Sequence, residues 1–88
     1  MNKYLLIKLL NKKYPELSCT SSESFDPSMV GGIWLRGSDD INKNFGTPLF
    51  EEWLYPETEG MHPEIYKLVT DSGWFFEPYD GCTQFIWS

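Results

Sequence analysis

The sequence predicts an α+β domain, in which a small antiparallel sheet of three or four strands ends in a C-terminal hairpin and about three helices pack mainly on one face. Three observations carry this expectation. Leucines recur at helical spacing in residues 3–14, and residues 74–87 hold two short aromatic runs separated by a few residues that include Asp80-Gly81. Between them lies an isolated apolar triplet, Ile33-Trp34-Leu35, of the kind found in sheet strands.

Taken in order, the first element is a helix over residues 3–14. Leu5, Leu6, Leu9 and Leu10 fall on one face with Lys8 and Lys12 opposite, Asn2 is placed to cap the start, and Pro15 stops it after Tyr14. Lys12 and Lys13 sit where the helix dipole is negative. A short strand near Leu17 to Thr20 and a Ser/Gly/Pro-rich loop follow, then the strand Gly32 to Arg36 and a polar turn from Gly37 to Thr47. A second helix is expected from Thr47, with Pro48 at its first position, Glu51 and Glu52 in its first turns and Leu49, Phe50, Trp53 and Leu54 on its apolar side, ending at Pro56. A third begins at Pro63-Glu64, runs through Ile65, Leu68 and Val69, and closes at Gly73. The hairpin of residues 74–87 completes the chain. No repeat or linker interrupts it, so residues 1–88 read as a single domain.

A chain of 88 residues buries only about 60% of the surface its unfolded form exposes, so it needs large side chains to make a core. Four Trp, five Tyr and six Phe supply them. The most hydrophobic stretch, Tyr4 to Leu10, is broken by Lys8 and falls far short of the roughly 20 apolar residues of a membrane span. It also lacks the small-residue cleavage site of a secretory signal, so a cytoplasmic location is expected. Cys19 and Cys82 lie far apart with no CxxC and a single histidine in the chain, a composition that disfavours zinc and leaves two free thiols as the expectation. Charge is uneven: residues 1–14 carry +4, and residues 15–88 carry -10. So acidic a body repels nucleic-acid phosphates and attracts basic protein surfaces.

Motifs for catalysis are weak. His62 has the right intrinsic chemistry for acid/base work, but its place before Pro63 suits a helix cap. Ser21, Ser22 and Ser24 lack a nucleophile elbow, and Gly31-Gly32 lacks the lysine of a phosphate loop. Asp40, Asn42, Asn44 and Glu51 occupy positions 1, 3, 5 and 12 of a calcium-loop count, yet position 6 is Phe45 and position 8 is Pro48, so Asp and Asn read here as turn formers. The expectation is a non-enzymatic protein with no cofactor and no metal. What stands out instead is carboxylates beside aromatics. Asp39, Asp40, Glu51, Glu52, Tyr55, Glu57, Glu59, Glu77, Tyr79 and Asp80 form the candidate partner-binding set, while Trp53, Trp74, Phe76 and Trp87 are assigned to the core.

From His62 through Leu68 to Gly73-Trp74, then Glu77, Tyr79-Asp80 and Thr83, the chain resembles small proteins of tailed phages and prophages that end in a Gly-Trp, aromatic, Glu, Tyr-Asp, Gly-Thr pattern. Gly32-Ile33-Trp34 and Pro48-Leu49-Phe50 extend the resemblance, and Gly81-Cys82-Thr83 departs from it by placing a cysteine before the threonine. The resemblance implies a mobile-element origin. Small acidic phage proteins of this kind are similar in general character to anti-CRISPR and other anti-defence inhibitors. That similarity implies a host-cytoplasmic protein partner with a basic, nucleic-acid-binding surface, and no direct contact with nucleic acid or membrane. A calcium- or ligand-binding accessory module and a small enzyme without a visible signature are the alternatives.

Overall fold

A computed structural model of the chain describes residues 1–37 and 40–88. Helix α1 (Lys3–Lys13) starts at Asn2, whose Oδ1 accepts a hydrogen bond from the Leu5 amide at 2.9 Å, and ends at Tyr14, whose amide bonds the Leu10 carbonyl. Of its four leucines only Leu6 and Leu10 are buried, which corrects the expected four-leucine face: Leu5 is 57% exposed and Leu9 half-buried. The reason is positional. The helix lies along the first strand at the margin of the sheet, so a stripe of i, i+4 residues reaches the core and its flanks do not.

Strand β1 (Ser18–Ser21) pairs with β2 (Ile33–Arg36), β2 with β4 (Thr83–Trp87), and β4 with β3 (Phe75–Asp80), all antiparallel, in the order β1-β2-β4-β3. The expected C-terminal hairpin is present, with Gly81 and Cys82 as its loop. Helix α2 (Pro63–Asp71) is capped by His62, whose Nδ1 accepts from the Glu64 amide at 3.1 Å, with Pro63 in the first turn where its missing amide is harmless. It stops at Ser72 and Gly73, the latter at φ +86°, a left-handed conformation that glycine adopts without strain.

Side chains alternate across each strand, and the register sorts them into two faces. Cys19, Leu35 and Gln84 align across one face, as do Ser21, Ile33, Ile86 and Phe76. Against this face pack Leu6, Leu10 and Leu17, then Ile65 and Val69 of α2, then Leu49, Phe50 and Met61, in one continuous core. Both helices therefore serve the same side of the sheet. The opposite face carries Thr20, Trp34, Arg36, Phe85, Trp87, Phe75 and Glu77, and neither α1 nor α2 covers it.

The second helix expected over residues 47–54 is absent, so the described residues form two α-helices where about three were expected. Residues 40–61 instead form a turn-rich crossing held by two isolated bridges, Ile41 to Pro48 and Phe50 to Met61, with a single 3-10 turn at Pro56–Thr58. The helical spacing of Leu49, Phe50, Trp53 and Leu54 misleads because the first two bury against the sheet core while Trp53 points outward, 77% exposed. Asn42 fixes one end of this crossing. Its Oδ1 accepts from the amides of Asn44 and Phe45, its amide bonds Thr47, and its Nδ2 donates to Glu16 at 2.9 Å. Gln84 fixes the other, donating from the buried face of β4 to the carbonyl of Glu59.

Both sheet edges are guarded. Along β1, the Asn11 carboxamide accepts from the Cys19 amide and donates to the Cys19 carbonyl, each at 2.9 Å, taking the place of a further strand. Along β3, Pro78 removes a backbone donor.

Candidate protein-binding surfaces

Two surfaces bring exposed aromatics and carboxylates together. The first is the crossing of residues 40–61. Glu52, Glu57 and Glu59 are exposed, Glu51 is half-buried with its amide bonded to Gly60, and Trp53, next to Glu52 in the chain, presents most of its side chain to solvent. Trp53 was expected in the core; a turn at Glu52 to Leu54, in place of a helix, turns it out. Tyr55 is half-buried. Its hydroxyl bonds Thr47 Oγ1 at 2.6 Å and donates to the Pro48 carbonyl at 3.0 Å, so it braces the crossing from within. Asp40 is exposed at the start of this segment, and Asp39 lies outside the described residues.

The second surface is the open face of the sheet. Phe85 sits at its centre, 1% exposed, ringed by Phe25 at 5.1 Å, Tyr79 at 5.6 Å and Trp87 at 6.0 Å between ring centroids. Phe25 also meets Trp34 and Tyr79 edge-on. Two local devices build this cluster. A register shift between Pro78 and Asp80 sets Tyr79 as an extra residue opposite Thr83 and so adds its ring to the face. The loop after β1 folds back over the sheet on a polar frame. Gly32 donates to Ser22 Oγ at 3.0 Å, Gly31 donates to Glu23 Oε2, and Glu23 Oε1 accepts from Lys3 Nζ at 2.8 Å and from Ser21. The Lys3 ammonium and the Ser21 hydroxyl together hold the Glu23 carboxyl well below the usual carboxylate range.

The rim of this face is wet and acidic. Phe75 is 52% and Tyr79 60% exposed, and Glu77 accepts from the Trp87 indole at 3.2 Å. Asp26 and Asp80 are held below the ordinary aspartate range by local hydrogen bonds, from Ser28 and from the Cys82 amide respectively. The Arg36 guanidinium lies over the Trp34 ring at 4.8 Å. Sequence reasoning placed Glu77, Tyr79 and Asp80 at a surface but missed Phe25, Trp34, Phe75 and Trp87. The signal was available in Phe75-Phe76: adjacent strand residues point to opposite faces, so one ring had to leave the core.

The remaining candidates are committed elsewhere. Asn42 Oδ1 faces its own turn amides, not a shared centre with Asp40 and Asn44, and no group of three His, Cys, Asp or Glu converges among the described residues. His62 spends Nδ1 on the helix cap, and its ring stacks on Phe45 at 3.9 Å. Cys19 lines a cleft of 340 Å³ with Asn11, Pro15, Leu17 and Arg36, but burial pushes its thiol up to about 12, which makes it a poor nucleophile. Cys82 is exposed in the hairpin loop, and its Sγ lies 3.4 Å from Asp80. No helix among the described residues is long and apolar enough to cross a membrane.

Comparison with protein-family models, with curated proteins and with solved structures returns no match.

Proposed function

We propose that the protein acts by binding another protein, as a mobile-element-encoded inhibitor of a host defence system that occludes a basic, nucleic-acid-binding surface of its target. The observation that carries this reading is the exposed side chain of Trp53 on a segment that also exposes Glu52, Glu57 and Glu59. A rigid aromatic with most of its surface in water contributes little to the core and has the character of an interface anchor. The carboxylates of that segment, on a body whose residues 15–88 carry -10, attract a cationic groove at a range of about 8 Å at physiological salt and speed association. Occupying such a groove excludes its nucleic acid.

The test is capture of a partner from host lysate followed by competition with that partner's nucleic acid, using wild type and a Glu52→Lys, Glu57→Lys, Glu59→Lys triple variant. Wild type is expected to displace the nucleic acid with an association rate that falls as salt rises. The triple variant is expected to associate far more slowly, and Trp53→Ser to dissociate faster. A captured partner without a basic surface, or unchanged binding by the folded triple variant in low and high salt, refutes the reading.

A further inference from the structure

We infer that the open face of the sheet is a second contact surface, which takes a guanidinium-bearing segment of the partner protein by stacking arginine side chains on Phe75, Tyr79 and Trp87. The inference rests on the protein-binding reading above and adds a site and a residue chemistry to it.

The face has the composition of a cation receptor. Its centre, Phe85, is sealed by its neighbours, so the fold does not require the outer halves of Phe75 and Tyr79 to meet anything. Those rings nonetheless stand in water on a hydrogen-bonded sheet beside Glu77, with Asp26 next in sequence to the capping ring of Phe25. Aromatic faces carry negative potential, and an adjacent carboxylate deepens it. The molecule already shows the recognition mode on itself. Arg36, the only cation among the described residues of the four strands, lies over Trp34 on this same face at 4.8 Å. Arginine suits the arrangement better than lysine, because its planar, weakly hydrated guanidinium stacks on a ring and still bonds a neighbouring carboxylate in its own plane.

Other occupants fit less well. Bases also stack on aromatic platforms, but strand-binding sites pair those rings with cations along the phosphate track, whereas this face offers carboxylates and one arginine already engaged. A second copy of the chain would bring another -6 of charge, and the sheet edges that could extend across a dimer are closed by Asn11 and Pro78.

The experiment uses the full-length protein, isotopically labelled, with three probes at near-physiological salt: a capped peptide of alternating Gly and Arg, its Gly-Lys counterpart, and oligothymidylate. Two protein variants accompany wild type, Phe75→Ser and the Glu52/Glu57/Glu59→Lys triple. The expected result is saturable binding of the arginine peptide, with amide and indole shifts confined to residues 75–79, 85–87 and Trp34. Binding should weaken by several-fold to roughly tenfold for the lysine peptide and for folded Phe75→Ser, the size of effect a lost ring contact produces. The inference is overturned if both peptides bind equally and indifferently to Phe75, if oligothymidylate is what shifts the face, if the face shifts only on self-association, or if no peptide binds. Peptide binding abolished by the triple variant but untouched by Phe75→Ser would overturn this inference and leave the acidic-crossing reading standing. Binding at the face with no partner effect of the triple variant would do the reverse.

Discussion

Gly32→Ala should destabilise the protein through one ring, and the structure allows the size of that effect to be worked out. Gly32 lies on the open face immediately before β2, and its backbone is not in the left-handed region, so alanine brings no conformational strain of its own. A Cβ there would stand 2.9 Å from Trp87 Cη2 and closer still to Cε3 and Cζ3. Ordinary carbon contacts begin near ~3.5 Å, so the indole must retreat by about 1 Å. It cannot do so freely, since it packs on Phe85 and donates to Glu77 at 3.2 Å. Overpacking of this kind costs about 1–3 kcal/mol, and a half-buried ring at a rim belongs at the lower end. The lost chain entropy of glycine in the unfolded state returns about 0.4–1 kcal/mol. The net is a loss of about 0.5 kcal/mol, or roughly 2–4 °C in Tm for a domain of this size. Urea unfolding followed by far-ultraviolet circular dichroism measures it without relying on tryptophan fluorescence. In a Trp87→Ala background the same Gly32→Ala change should be neutral or slightly stabilising, giving a coupling of about 1–2 kcal/mol between the two sites. A coupling within about 0.5 kcal/mol of zero would show that Trp87 does not rest on Gly32 and that the open face is built differently.

Three further outcomes are expected. Asn42→Ala removes the acceptor for the amides of Asn44 and Phe45 and the donor to Glu16, and should cost about 2–3 kcal/mol in a denaturant titration; a loss below about 0.5 kcal/mol would mean the crossing is not anchored there. Alkylation of the native protein should modify Cys82 alone, with Cys19 reacting only after unfolding, and mass spectrometry that finds Cys19 labelled first would contradict its burial. The Glu23 carboxyl is depressed by Lys3 and Ser21, so its contribution to stability is present above the ordinary glutamate pKa of about 4.3 and is lost only as pH falls through its lower folded value. The ring signals of Phe25 should therefore hold in nuclear magnetic resonance spectra through the ordinary carboxylate range. A Lys3→Met variant should release them at higher pH than wild type, and release at the same pH in both would separate Lys3 from the loop frame.

The sequence was legible where one local rule governed a segment alone. Asn2 and Pro15 bound α1, His62 and Pro63 open α2, and Asp80-Gly81 announces the hairpin, because caps and turns act through neighbouring backbone groups. It misled at residues 47–54, where Pro48 and the leucine spacing agreed on a helix. There the deciding interactions are remote: Gln84 holds the Glu59 carbonyl, Asn42 reaches Glu16, and Phe50 packs on Gly37. Propensity over a few residues is worth less than such anchors. Trp53 went astray with that helix. The open aromatic face was hidden for a different reason, since assigning every ring to a single core ignored the period of two that a strand imposes.

That alternation also separates the part of the aromatic content that stability needs from the part it does not. On β4, Ile86 and Gln84 point into the helix-covered core while Phe85 and Trp87 point out, so the strand is apolar on both sides with helices on only one. A two-layer fold normally makes the uncovered side of its sheet polar. Here Phe25 folds over from the loop after β1 and Tyr79 is added by the bulge, and together with Trp34 and Trp87 they enclose Phe85. Once Phe85 is covered, further exposed ring surface adds little to folding and raises the risk of association. Phe75 is the residue that fails this accounting: it sits at the rim opposite Trp87, is not one of the rings that pack on Phe85, and leaves about half of itself in solvent on the same face as Glu77. A serine at that position would give up the cross-strand neighbour of Trp87 but leave Phe85 enclosed. Its aromatic identity is therefore better explained by something the face meets than by anything the face encloses, and that is why Phe75→Ser separates the two roles.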